Sequence, residues 1–172
     1  LYGCDKITDS SVVAVSKGCP LITDLNLSGC NKITNSSVVA VSKGCPLLTS
    51  LCLYGCDKIT SVVAVSKGCP LLTSLNLADC SRITDSSVIA LSNGCLLLES
   101  LNLSCYGSKI TDSSVMALTN GCPVLTYLNL YCCDKITDVH SFPYRGLDGL
   151  RKSHPLLELL KPIDSEEEVY DY

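Results

Sequence analysis

The stretch Leu25 to Ser50, LNLSGCNKITNSSVVAVSKGCPLLTS, recurs almost letter for letter on both sides of itself. Its leading leucine aligns with Leu51, Leu75, Leu101 and Leu128, so the steps are 26, 24, 26 and 27 residues. A period of this size marks a stacked array, in which each unit buries its apolar face only against its neighbours. The 172 residues therefore count units rather than domains. Apolar residues make up 47% and charged residues 17%, as expected of a continuous core under a thin polar skin. The chain has no run of about eighteen apolar residues, and no membrane span is expected.

Within one unit, LLTSLNL alternates apolar and polar residues, which is strand periodicity. Leu48, Leu51 and Leu53 should face inward, with Ser50 and Cys52 outward. Ile33 and its equivalents Ile7, Ile59, Ile83, Ile110 and Ile136 add another buried side chain after the turn. Asp9, Asn35, Asp85 and Asp112 precede short apolar runs and read as N-caps, because their oxygens can accept from free first-turn amides. Val38, Val41 and Cys45 lie three and four residues apart and share a helix face. Val and Ser are mediocre helix formers, so packing must hold these helices. Gly18, Gly44, Gly68, Gly94 and Gly121 end each helix as expected of a left-handed C-terminal position. Pro20, Pro46, Pro70 and Pro123 then forbid its continuation.

The pattern L-x-x-L-x-L-x-x-C-x-x-I-T-D, followed by a helix and G-C-P-x-L, resembles the cysteine-containing class of leucine-rich repeats found in F-box proteins and relatives of the mitotic-exit antagonist family. The resemblance spans residues 1–138. It implies an α/β leucine-rich repeat solenoid, a right-handed arc with a concave parallel sheet and short convex helices. It also implies that the first cysteine of each unit bonds turn carbonyls.

Three departures from the pattern stand out. The third unit, CDKITSVVAV, lacks two residues including its Asp, so Thr60 or Ser61 must cap a less secure helix. The fifth, SCYGSKIT, carries one extra residue, so a bulge is expected with Cys105, in preference to Tyr106, at the corner. After Asp138, aligning Pro155 with Pro46 places Leu157 and Leu160 where Leu48 and Leu51 stand. Residues 139–161 thus read as a degenerate, capping last unit, with an insertion around His140 to Arg145 and a final strand near Leu157 to Leu160. Glu158 and Lys161 suit an exposed edge. Leu1 falls mid-strand with no polar cap before it, as expected of a chain beginning inside a longer protein.

Charge excludes some functions. Residues 1–138 hold 9 Lys/Arg against 10 Asp/Glu, giving no sign of a nucleic-acid surface. Residues 162–172 hold five acids and no base, and read as a disordered, solvated tail, the sharper alternative being a docking or tyrosine-modification segment. Eleven of the thirteen cysteines follow the repeat and none forms a C-x-x-C pair, which argues against zinc and disulfides. Adjacent Cys132 and Cys133 are not expected to point inward together, and Cys52 and Cys132 read as exposed drift between copies. The odd cysteine count points to a reducing, cytoplasmic or nuclear setting; glycosylation-type triplets at Asn26, Asn35 and Asn102 read as chance. Neither His140 nor His154 belongs to a recognisable catalytic motif, and the repeated Asp57–Lys58 type of pair reads as rim charge. The expectation is no enzyme, no cofactor and no metal.

Variation is concentrated on the outward strand face. Its rows read Asp24, Ser50, Ser74, Ser100, Tyr127; then Asn26, Cys52, Asn76, Asn102, Asn129; then Tyr2, Ser28, Tyr54, Ala78, Ser104, Tyr131. Aromatic anchors beside adaptable amides suit a protein partner, with Tyr54, Asn76, Asn102, Tyr127, Asn129 and Tyr131 as contact candidates. The competing account is an asparagine ladder along a face that binds nothing. The resemblance further implies substrate recognition in an F-box (SCF-type) ubiquitin ligase, with an upstream F-box holding a Skp-type adaptor. A cell-surface receptor ectodomain and a structural spacer are the alternatives.

Overall fold

The computed structural model describes residues 4, 6–136, 155 and 158–160, with Leu159 and Leu160 by backbone alone. Five helices, α1 (Asp9–Gly18), α2 (Asn35–Gly44), α3 (Val63–Gly68), α4 (Asp85–Gly94) and α5 (Asp112–Gly121), alternate with strands. The strands are β1 (Asp24–Asn26), β2 (Ser50–Cys52), β3 (Ser74–Asn76), β4 (Ser100–Asn102), β5 (Tyr127–Asn129) and β6 (Glu158–Leu160). They form one six-stranded parallel sheet in sequence order, and each helix packs on its sequence neighbours.

Register follows the leucine period. Leu25, Leu51, Leu75, Leu101 and Leu128 pair in line, each buried between outward-facing residues. The core behind them is one cluster of leucines, repeat isoleucines, helix valines and both cysteine series. Val38, Val41 and Cys45 are buried on one helix face as their spacing requires. Ten-residue Val/Ser helices are too short to persist alone, so this burial is what forms them.

Neighbouring units are joined by repeated hydrogen bonds. Leu53 N donates to Asn76 O at 2.9 Å, and both Thr49 N and Ser50 N donate to Thr23 O at 2.8 and 3.0 Å. The Cys56, Cys80 and Cys133 thiols donate to the Leu27, Leu53 and Leu103 carbonyls of the preceding unit at 3.2, 3.1 and 3.3 Å. A thiol fits here because it fills apolar space like a small hydrophobe yet still satisfies a buried carbonyl.

The helix starts differ from expectation. Thr8, Thr34, Thr84 and Thr111 occupy the extended N-cap position, and the Asp or Asn is the first helical residue. From there its side chain reaches the next unit. Asp9 accepts from Thr34 N and Thr34 Oγ1, both at 2.8 Å, and from Ser37 N at 3.2 Å. Asn35 accepts from Thr60 N at 2.9 Å and Ser61 N at 3.2 Å, and Asp85 accepts from Thr111 N at 2.8 Å. Stacking sets the next helix start beside this one, so a first-turn oxygen meets a neighbour's free amides more readily than its own.

The helix-ending glycines also have another cause. Positive φ occurs at Gly29, Gly55 and Gly107, in the strand-to-helix turns, and not at Gly44 or its equivalents. A Cβ on Gly44, Gly68, Gly94 or Gly121 would collide with the carbonyl oxygen of Ser16, Ser42, Ser66 or Ser92. Close helix stacking therefore requires them. Gly18, with nothing within 4 Å, carries no such constraint.

Three further positions correct the sequence reading. Cys132 is only 8% exposed, so both adjacent cysteines are buried; Cys132 takes φ 62 at the turn position where Gly29 has φ 68. Cys105 is buried and Tyr106 is 75% exposed, as preferred, but the Cys105 thiol donates to Tyr106 O at 3.3 Å rather than to the preceding unit. The final strand is shifted by one residue. Leu159, not Leu160, pairs with Leu128, because the strand begins at Glu158, three positions after Pro155, where β2 begins at Ser50, four positions after Pro46. Tyr2, the insertion around His140 to Arg145, His154, Lys161 and the tail 162–172 lie outside the described residues.

Candidate functional site

The open sheet face is set by strand alternation. With each central leucine turned inward, the residues before and after it point outward, and five strands align them in rows. Tyr127, Asn129 and Tyr131 come together on and just after β5; Asn102 and Asn76 follow on β4 and β3 in the Asn129 row. Tyr54 stands apart, following β2 and about 14 Å away at three strand spacings. Tyr54 and Tyr131 are 41% and 47% exposed, Tyr127 is half-buried, and Ser28 and Ala78 in the Tyr54 row are buried.

The asparagines do not form a ladder. Asn26 accepts from Ser28 N at 2.9 Å, Asn76 from Ala78 N at 2.9 Å, Asn102 from Ser104 N at 3.1 Å and Asn129 from Tyr131 N at 2.9 Å. Each carboxamide oxygen closes its own strand end, the local bond that short amide side chains favour. Cys52, in the same row, is half-buried with its thiol 3.0 Å from Ser28 Oγ. Tyr106, left outside by the preference for Cys105 at the corner, adds an exposed aromatic that is not among the contact candidates.

The charged and nucleophilic groups have structural surroundings. Burial pushes Cys56, Cys95, Cys122 and Cys133 up to about 11, and Cys69 and Cys80 up to about 12, so these thiols stay protonated near neutrality. At Asp9 and Asp85 burial raises the carboxyl pKa, but donors outweigh it and hold both below the ordinary value: Ser37 and Thr34 for Asp9, Ser114 and Thr111 for Asp85. Among the described residues, no group of three His, Cys, Asp or Glu could hold a metal ion. No helix among them is long and apolar enough to cross a membrane.

A sequential parallel sheet backed by short helices, with one inward leucine per strand and a buried thiol in the turn after each of β1 to β5, defines a leucine-rich repeat solenoid. A family model described as "Leucine Rich repeat" matches residues 18–42, 68–92 and 121–139. Among solved structures, the chain is similar to one in the crystal structure of the Rad7 and Elc1 complex in yeast, with TM-score 0.74 and 23% identity over 92% of this chain. It spans 42% of that chain's length. A structure of actin-binding site 2 of leiomodin-1 aligns at TM-score 0.46 and 17% identity, over 90% of this chain and 78% of that one. No curated protein sequence matches.

Proposed function

We propose that this chain is a non-enzymatic module that binds a protein partner on the concave sheet face. The observation that carries this is the β5 surface: Tyr127 and Asn129 on the strand and Tyr131 just after it lie together, where earlier units carry smaller residues such as Ser74 and Ala78. Tyrosine supplies large contact area at low conformational cost, and hydrogen-bonded strand ends hold these side chains in place before binding. Tyr54, Asn76 and Asn102 extend the same face. Leucine-rich repeats are in general protein-interaction scaffolds.

The finer role is recognition of substrates for an F-box (SCF-type) ubiquitin ligase in the cytoplasm or nucleus, a Skp-type adaptor being held by an F-box upstream of Leu1. Support comes from the resemblance of the repeat. Buried thiols serving as donors to backbone carbonyls favour this setting over a cell-surface one. Pull-down with wild type and a Tyr127→Ala/Tyr131→Ala double variant tests the site: the partner should be lost from the variant, and undiminished capture would discard the site. Translating the gene upstream of Leu1 tests the ligase role, which fails if no F-box helical segment is encoded there.

A further inference from the structure

Resting on the concave-face reading, we propose that this face recognises an acidic partner segment, whose carboxylates accept hydrogen bonds from the carboxamide N–H groups of Asn76, Asn102 and Asn129. The orientation of each amide is fixed by chemistry. A backbone N–H can only donate, so the Ala78, Ser104 and Tyr131 amides must face the carboxamide oxygens. The NH2 end of each side chain is then left for the open face, and no protein acceptor meets it among the described residues.

The parallel register places these three NH2 groups in one row across β3, β4 and β5, about 4.8 Å apart. Strands β2 to β5 carry no charged side chain, and the row is interrupted at β2 by Cys52. The NH2 row offers donors only, and the hydroxyls of Ser74, Ser100 and Tyr127 in the neighbouring outward row can donate as well as accept. A carboxylate lying along the row therefore gains charge-assisted bonds from the NH2 groups.

The surrounding charges frame the same footprint. Exposed Asp24 on β1 and Glu158 on β6 bracket the neutral strands and disfavour an acidic ligand beyond them. Exposed Lys58, Arg82, Lys109 and Lys135 line the rim beyond the strand ends, one per unit, interspersed with Asp57, Asp79 and Asp134. On the opposite rim Glu99 precedes β4. The rims are thus mixed in sign, and the selectivity lies in the donor row.

The test uses an array of twelve-residue synthetic peptides in which acidic, neutral and basic residues are varied systematically, with selected peptides measured by fluorescence anisotropy. The key variant is Asn102→Asp. It keeps an oxygen for the Ser104 N–H and so leaves the fold and melting temperature unchanged, but it replaces a donor with a carboxylate. The expected result is selection of Asp/Glu-rich peptides that bind Asn102→Asp at least about tenfold more weakly, the loss typical of a hydrogen bond to a charged group. Selection of basic or uncharged peptides that still require Tyr127 and Tyr131 would overturn this proposal and leave the concave-face reading standing. Equal binding of acidic peptides by Asn102→Asp would overturn it as well. If no peptide binds better than to the Tyr127→Ala/Tyr131→Ala variant, both fall.

Discussion

The junction between the fourth and fifth units and the junction between the third and fourth carry the same task with different parts. At the first, Asp85 from α4 accepts from Thr111 N at 2.8 Å and Thr111 Oγ1 at 2.6 Å, and Ser114 Oγ also donates to it. At the second, the two residues missing before Ser61 remove any such acid. Helix α3 has six residues against ten in its neighbours, starts after Val62 without a side-chain cap, and gains only a bond from Val63 N to Ser61 Oγ at 3.3 Å. The loss is passed on. Thr84 at the start of α4 receives no acid, and Ser87, whose equivalents Ser37 and Ser114 donate to a carboxylate, instead accepts from Val62 N at 3.4 Å. A change in one unit of this array is therefore felt at the helix start of the next.

The close inter-unit contacts at the helix-ending glycines should break most severely. Gly121→Ala forces a Cβ into the Ser92 carbonyl and should cost about 1–3 kcal/mol, whereas Gly18→Ala, in open space, should be neutral or stabilising by up to about 1 kcal/mol. Urea melts of both variants check this. Equal costs would mean that helix conformation, and not stacking, selects these glycines.

Asp85→Ala should cost about 1–2 kcal/mol by leaving Thr111 N–H without its partner, with the loss seen as faster amide exchange in the first turn of α5. The reverse experiment inserts Asp-Ser between Thr60 and Ser61. It should lengthen α3, add about 1 kcal/mol and slow exchange at the start of α4. If α3 grows while α4 is unchanged, the coupling between units is absent.

A smaller effect is pH dependence. Asp85 is held below its ordinary pKa in the fold, so its contribution is present above the unfolded value of about 3.9 and is lost as pH falls through the folded value. Asparagine already serves in this place at Asn35, whose Nδ2 donates to Thr60 Oγ1 at 2.8 Å. Asp85→Asn should therefore lose less stability than wild type between about pH 5 and pH 2 in thermal melts; parallel curves would assign the acid sensitivity elsewhere. The smallest effect is in labelling. A brief iodoacetamide pulse at pH 8 should modify exposed Cys19 and spare buried Cys56, Cys69, Cys80, Cys95, Cys122 and Cys133 until unfolding, as read by peptide mass.

Legibility divided along a physical line. The leucines, isoleucines and helix valines could be assigned inward or outward from spacing alone, because period 2 and period 3.6 act within one unit. The rows of the open face followed once the leucines were aligned; the strand register bears out the first two, whereas in the third, beyond the strand ends, Ser28 and Ala78 are buried. The asparagine bonds could not be read, since the same amide can close its own turn or pair with its neighbour across the sheet. Nor could the role of Asp9 and Asp85, because T-D-S-S places two capping residues side by side, and only the stack decides which caps its own helix.

The sequence by itself determined the period, the inward leucines, the buried cysteine series and the weak point at Ser61, because these depend on side-chain type and spacing along the chain. Only the tertiary structure decided that the acids act on the next unit, that the glycines answer to a neighbour's carbonyl, that Cys132 is buried, and that the final strand registers through Leu159. Each of these turns on what lies one strand spacing away, a distance of about 5 Å in space and some 26 residues in sequence.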